Sequence, residues 1–225
     1  MKAISLPFDV FERHKTVAKA IRPGETVLDV GGGVDALSKF IRNRITVTNL
    51  KSGDILADAR DLPMKSNSFG VVTSIDVIEH LPKQDRKKFI KELLRVGRKK
   101  VIISAPLGTK QHLEAEKKIL AFLEKKGINS EYLKEHLQKN LPSEKELKNY
   151  TDKHSVKIIY SGDFRLNNFL SKMDTLSFKN PYFDKFFYFF KRLINIFLNL
   201  FYFPFCQSKE PKFFTNRIYL FIEKK

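Results

Sequence analysis

The sequence contains no tryptophan and a single cysteine, Cys206. One cysteine excludes an intramolecular disulfide and fits a reducing compartment. Residues 1–20 hold no apolar stretch of signal-peptide type, so no cleaved leader is expected from them. Acidic residues are scarce beside basic ones, 25 Asp and Glu against 42 Lys and Arg, which gives a formal charge of +17. That balance points to nucleic acid or an anionic membrane surface as partner, or to a lysine-rich solvated surface with neither. The uncharged run Leu193–Cys206 is shorter than the roughly 20 apolar residues of a membrane span, and Asn195, Asn199 and Pro204 interrupt it. What the sequence has in excess is phenylalanine, 21 residues, many of them crowded between Phe164 and Phe214.

A chain of 225 residues that is 42% hydrophobic can bury the core of one α/β domain with decoration. Its centre is Val27-Leu28-Asp29-Val30-Gly31-Gly32-Gly33, a short apolar run followed by glycines. Ala36, Leu37, Phe40 and Ile41 come next at helical spacing. The pattern predicts a buried strand, a tight turn and a helix N-terminus, where glycines let backbone approach a ligand and free N–H groups face it. Many nucleotide-binding proteins share such a turn.

The remaining segments alternate. Residues 8–21 predict an amphipathic helix with Val10, His14, Val17, Ala18 and Ile21 on one face; 44–50 a strand; 68–75 a buried strand; 84–96 a basic helix; and 100–105 another strand. Two charged helices broken near Gly127 follow, then a third opened by the capping pair Ser143 and Glu146. Val156–Tyr160 and Arg217–Ile222 are the last strand candidates. Strands and helices at this spacing predict a doubly wound, mostly parallel sheet.

Four landmarks occur in order: VLDVGGG, ADARDLP at 57–63, SNSFGVVTSIDVIEHLP at 66–82 and ISAP at 103–106. With this spacing the chain resembles the class I S-adenosylmethionine-dependent methyltransferases, in the branch with small-molecule and lipid-type acceptors. The resemblance covers Phe8 to Pro106 and, less specifically, the strand 217–222. It implies a doubly wound seven-stranded Rossmann-like sheet with helical insertions. The glycine fingerprint differs from that of hydride-transferring dinucleotide enzymes.

The resemblance also implies roles. Asp29 accepts from the amino group of S-adenosylmethionine, and Gly31 and Gly33 let its methionine part lie on the backbone. Asn49 stands where an acidic residue usually grips the ribose, and its single amide oxygen is a weaker acceptor. Asp58 and the Ala59 backbone address the adenine, while Ser74 and Asp76 flank the sulfonium. His80 and His112 are the candidate bases for a hydroxyl acceptor, and His14 is placed to close over the cofactor. Asp76, Glu79 and His80, with His112 as a further ligand, form an alternative divalent-metal set. The competing reading of Glu79-His80 is structural. Three departures from the family pattern stand out: Asp35 replaces the third glycine and could cap the next helix, Asn49 replaces the ribose acid, and Gly70 replaces an acidic residue. His136 and His154 read as surface residues.

This reading divides the chain into a methyltransferase domain, 1–163 and 215–225, with a helical cap at about 111–150, and a Phe-rich basic insertion, 164–214. Within the insertion, 176–206 joins aromatics to Lys179, Lys185, Lys191 and Arg192, which suits in-plane contact with anionic lipid. Closing the substrate pocket, a dimer interface and core packing are its competing uses. The expected function is O-methylation of a small or lipid-linked acceptor, glycan-lipid or quinone-type, by a cytoplasmic protein peripheral to the inner membrane face. An RNA methyltransferase and a non-catalytic membrane-associated scaffold are the alternatives. No RNA-binding module is recognisable, and the aromatics cluster in an apolar run instead of interleaving with arginines.

Overall fold

Apolar runs become the central strands of the computed structural model, which describes residues 3–33, 36–178 and 180–224. β1 (Val27–Val30), β4 (Phe69–Ile75) and β5 (Gly97–Pro106) lie side by side and parallel. All of β1 and the Val101–Pro106 half of β5 are buried, as is β4 after Phe69. Both faces of these strands are covered, so their sequences run apolar instead of alternating. β2 (Ile45–Asn49) and the two-residue β3 (Ile55–Leu56) extend one side of the sheet.

On the other side β8 (Thr215–Glu223) pairs antiparallel with both β5 and β6 (Ser155–Asp163), and β7 (Gln207–Ser208) closes the edge. The order is β3-β2-β1-β4-β5-β8-β6-β7. The sheet thus has eight strands where seven were expected. The two-residue strands β3 and β7 lie beyond the six read from sequence; β7, of two polar residues, carries no apolar signal.

Helices cover both faces, as the doubly wound reading predicts. α1 (Phe8–Ala18) and the turn after it set Val17, Ala18 and Ile21 against Val27, Val71, Ile102 and Tyr219. On the opposite face α2 (Lys83–Val96) sets Phe89, Ile90 and Leu93 against Leu28, Val72, Val101 and Leu220, and Leu147 of α5 (Glu144–Thr151) joins them.

The helix expected after the glycine turn is reduced to a single 3₁₀ turn, Leu37–Lys39. The chain must be back in β2 at Ile45, and one turn already brings Leu37, Phe40 and Ile41 onto the core. Asp35, the expected cap, lies outside the described residues.

Between β5 and β6 come α3 (Lys110–Lys125), α4 (Glu131–Lys139) and α5. Thr109 Oγ1 caps α3 by accepting from His112 N, and Ser143 Oγ caps α5 by accepting from Glu146 N. Gly127, at φ +72°, takes the left-handed conformation that separates α3 from α4.

Between β6 and β8 come α6 (Phe164–Asp174) and α7 (Pro181–Phe197). Asn180 Oδ1 caps α7 by accepting from Tyr182 N and Phe183 N. The helical path then continues through a π turn, Leu198–Tyr202, and a 3₁₀ turn, Phe203–Phe205. Pro181–Phe205 as a whole, 25 residues, is long and apolar enough to cross a membrane by length and composition. It exceeds the uncharged run seen in sequence because the helix starts before the charges at Asp184, Lys185, Lys191 and Arg192.

No residue of α7 is buried. The segment is nevertheless tied to the body by the asparagines that interrupt it. Asn195 Oδ1 accepts from Phe8 N at 2.9 Å, capping α1 where Pro7 offers no side-chain cap. Asn199 Nδ2 donates to Ile4 O at 2.8 Å and Leu6 O at 2.9 Å. Phe203 completes the anchor by packing with Phe8 and Phe11.

Replacing Asn199 by Ala strands the two carbonyls at Ile4 and Leu6. The expected loss is about 1–3 kcal/mol, read as a lower urea midpoint. Faster amide exchange in α1 should accompany it.

Candidate active site

The glycine turn sits at the carboxyl end of β1, where open α/β sheets collect their ligands. Asp29 is 1% exposed and accepts one side-chain hydrogen bond, from Thr73 Oγ1 at 2.9 Å. Burial pushes its carboxyl up to about 6, against the lowering effect of the Thr73 bond. Gly31 has φ +77°, and a Cβ there would lie 2.2 Å from Val77 Cγ2. At Gly32 a Cβ would fall 2.1 Å from Asp29 Oδ2, whereas at Gly33 it would meet nothing within 4 Å among the described residues. The protein's own packing therefore requires the first two glycines, and Gly33 faces open space. A cavity of about 340 Å³ lies beside it, lined by Asp29, Gly33, Ala36, Val47 and Asp54 among others.

The next strand ends are engaged within the protein. Asn49 Nδ2 donates to Gly31 O and Gly32 O, both at 3.2 Å, and its Oδ1 accepts from Leu50 N at 2.7 Å. It braces the glycine turn from the end of β2. Asp58 is chelated by Arg60 through Nε at 3.0 Å and Nη2 at 2.6 Å, which holds its carboxyl below the usual range. Ala59 packs partly buried on the larger core cluster. Ser74 Oγ donates to Val30 O at 3.0 Å, stitching β4 to β1.

A larger cavity, about 550 Å³, opens beyond the carboxyl ends of β4 and β5, between α1, α4, α6 and α7. Asp76, at φ +56°, stands on its wall and is bound there by arginines. Both terminal nitrogens of Arg217 donate to its carboxylate, and Arg13 Nη1 lies 2.8 Å from Oδ2. Burial opposes ionisation of Asp76, yet Arg217 and Arg13 hold its carboxyl below the ordinary value. Glu79, 1% exposed, is pushed the other way, well up, by burial and by the charge on Asp76. His80 keeps a third of its side chain exposed, with Nδ1 at 2.7 Å from Glu135 Oε2.

Of the predicted site residues, Asp76, Glu79 and His80 are brought together on this cavity, and Asp29 and Gly33 on the smaller one. His112 is not among the residues lining the larger cavity. Its Nδ1 is 2.9 Å from Leu107 O, its ring stacks on Phe164, and burial lowers its pKa, so it is a neutral packed imidazole. His14 is similar: Nδ1 lies 2.8 Å from Val10 O, and burial brings its pKa down to about 4.

His136, read from sequence as a surface residue, is buried, with Nδ1 at 2.8 Å from Glu116 Oε1 and its ring 5.2 Å from that of His80. The signal was present in its spacing. His136 stands three residues after buried Leu133, on the inner face of α4. Arg13 and Arg217 were missed as well; an arginine inside the otherwise apolar strand 217–222 was the available clue.

Residues 28–104 match the family model described as a methyltransferase domain. Among curated proteins, none matches the chain in sequence. Solved structures share its fold. A Thermotoga maritima S-adenosylmethionine-dependent methyltransferase is 14% identical with a TM-score of 0.57, covering 99% of this chain and 92% of that one. Haemonchus contortus phosphoethanolamine N-methyltransferase 2, in complex with S-adenosyl-L-methionine, is 17% identical with a TM-score of 0.51. The match covers 91% of this chain and 49% of that protein, so the present chain spans about half its length.

Asp29 makes a prediction about stability. Its carboxyl titrates at about 6 in the fold against 3.8 ordinarily, so between those values the folded state binds more protons than the unfolded one. Stability from this group therefore falls as pH rises through that window. Asp29→Asn removes the cost. The variant should match the parent near about pH 4 and exceed it by on the order of 2–3 kcal/mol at about pH 7.5 in urea denaturation.

Proposed function

We propose that the chain is a class I S-adenosylmethionine-dependent methyltransferase and that it methylates an oxygen of a small or lipid-linked acceptor held in the 550 Å³ cavity. The observation that carries this reading is the cavity's place. It lies at the strand ends beyond β4 and β5, with Glu79 and His80 on its wall and α7 on its far side. The cofactor, when bound, supplies a methyl group already activated on a sulfonium.

The methionine part of that cofactor fits this chain: Gly33 leaves open space, and Asp29 is a buried carboxylate with one side-chain partner. Asn49 and Asp58 hold the ribose and adenine once they exchange their present partners, the glycine-turn carbonyls and Arg60. The remaining residues bind and orient the acceptor. Ile119, Leu133 and Ile194 give the cavity apolar wall, while Glu79, His80 and His136 stand on its polar side.

The same reading takes α7 as a membrane contact. Lys191, Ile194 and Asn195 face the cavity, while Phe183, Phe186, Phe189, Phe190 and Phe197 are exposed beside Lys185 and Arg192. An aromatic and basic surface of this kind suits an anionic bilayer approached in plane. The anchoring bonds of Asn195 and Asn199 favour lying on the surface over crossing it. A lipid-linked acceptor then enters beside the helix that contacts the lipid.

Calorimetry with S-adenosylhomocysteine tests the cofactor. Micromolar binding is expected, weakened by roughly 10- to 100-fold in Asp29→Ala; no binding at millimolar ligand overturns the reading. Flotation with phosphatidylglycerol vesicles tests the surface. The parent should float, and Phe186→Glu with Phe190→Glu should not. Salt-dependent RNA binding without flotation overturns the membrane assignment.

A further inference from the structure

Three side chains on the wall of the larger cavity converge from two elements. One ligand-type atom from each of Glu79, His80 and His136 lies within 4.8 Å of the others. Glu79 and His80 belong to the 3₁₀ turn after β4, Ile78–His80, and His136 to α4. Glu79 Oε2 is buried and has no hydrogen-bond partner among the described residues. A carboxylate oxygen in that position is costly unless a proton or a cation meets it.

Each histidine is turned by a carboxylate of its own. His80 Nδ1 is 2.7 Å from Glu135 Oε2, and His136 Nδ1 is 2.8 Å from Glu116 Oε1. That leaves Nε2 of both rings as the nitrogen to offer. Outer carboxylates impose this orientation on metal-bound imidazoles, fixing the tautomer and raising the basicity of the free nitrogen. A structural ion pair would use one carboxylate per imidazole; here a third, Glu79, stands by both with an oxygen to spare.

We propose that Glu79, His80 and His136 bind one divalent transition-metal ion. Two imidazole nitrogens and one carboxylate oxygen suit Zn²⁺, Mn²⁺, Fe²⁺ or Co²⁺, whereas Mg²⁺ and Ca²⁺ take sets built of oxygens. Metal–ligand bonds of about 2.0–2.2 Å require the three atoms to draw in on loading, through a small approach of α4 to the 3₁₀ turn. Asp76 is not a ligand, because Arg217 and Arg13 occupy its carboxylate.

Three protein ligands leave coordination positions open toward the cavity. Resting on the methyl-transfer reading, those positions take the acceptor's hydroxyl oxygen. A bound ion would lower the hydroxyl pKa and its proton would pass to water; the oxygen would then bond to the methyl carbon as the carbon–sulfur bond breaks, its electron pair staying on sulfur and S-adenosylhomocysteine leaving. His80 then acts as a ligand and not as the base.

The test is a Co²⁺ titration of the full chain followed by visible absorption, with Mn²⁺ and Mg²⁺ titrated calorimetrically and S-adenosylhomocysteine binding measured on the same protein. One equivalent of Co²⁺ should bind with micromolar affinity, with no comparable Mg²⁺ binding. His136→Ala and Glu79→Gln should each weaken Co²⁺ by about 10- to 100-fold; Glu79→Gln keeps the buried shape should His136→Ala disturb α4. Absence of Co²⁺ and Mn²⁺ binding to the parent, or equal Co²⁺ binding in parent and variants, overturns the site. Co²⁺ binding without S-adenosylhomocysteine binding upholds the ion site and overturns the methyl-transfer reading, and the reverse pattern does the opposite.

Discussion

The arrangement of the larger cavity depends on one buried guanidinium. Arg217, 4% exposed in the middle of the sheet, donates to both oxygens of Asp76 and to Ser104 Oγ, and its Nε lies 3.8 Å from Glu12 Oε2. Through these groups β8, β5, the end of β4 and α1 meet at one point beneath the larger cavity. Glu12 is in turn held by Tyr219, whose hydroxyl donates to Oε1 at 2.6 Å, and Arg13 adds the second positive charge opposite Asp76. Two carboxylates and two guanidiniums close a set in which each charge has an opposite. Removing one member would leave another buried and uncompensated, which costs several kcal/mol. The set also explains why Asp76 tolerates a left-handed backbone, since two arginines fix its side chain. Acids that look alike in sequence are thereby sorted: the carboxylate of Asp76 is taken up by two arginines, while Glu79, three residues later, keeps an oxygen without a partner among the described residues.

The cofactor side is built differently. Asn49 and Asp58 already have partners, so a ligand there exchanges hydrogen bonds instead of gaining new ones, and the net return per bond is small. On the proposed reading, binding strength rests on the carboxylate of Asp29, whose only side-chain partner among the described residues is Thr73, and on the open cradle at Gly33. The shortened connection to β2 fits this economy of contacts, because a single 3₁₀ turn stands where a longer helix was expected.

Much of the fold was legible because local patterns and global burial agree. Strands 27–30 and 70–75 and the 101–106 half of β5 are covered on both faces and read as apolar runs, and the cap at Ser143 acts within three residues of itself. What escaped depends on distance along the chain. Asn195 and Asn199 look like flaws in an apolar run until Phe8, Ile4 and Leu6 are seen beside them. His136 looks solvated until α4 folds over the 3₁₀ turn after β4. The glycine turn was legible as the end of a buried strand, yet that Asn49 braces it, while Arg60 takes up Asp58 at the next strand end, could be learned only from the paired strand ends.

The place of β8 governs how the sheet can be assembled. It is the last strand in this sequence, yet it lies between β5 and β6, which do not pair with each other. Until residues 215–223 arrive, β5 presents one unpaired edge, and β6, some fifty residues further on, has no central partner. Closing this gap requires contacts of long sequence separation, which form late and slowly. During that interval the exposed strand edges are templates for pairing with another chain. The same strand carries Arg217, so its insertion and the neutralisation of Asp76 and Glu12 are a single event. The polar floor of the cavity is therefore completed only when the sheet itself closes.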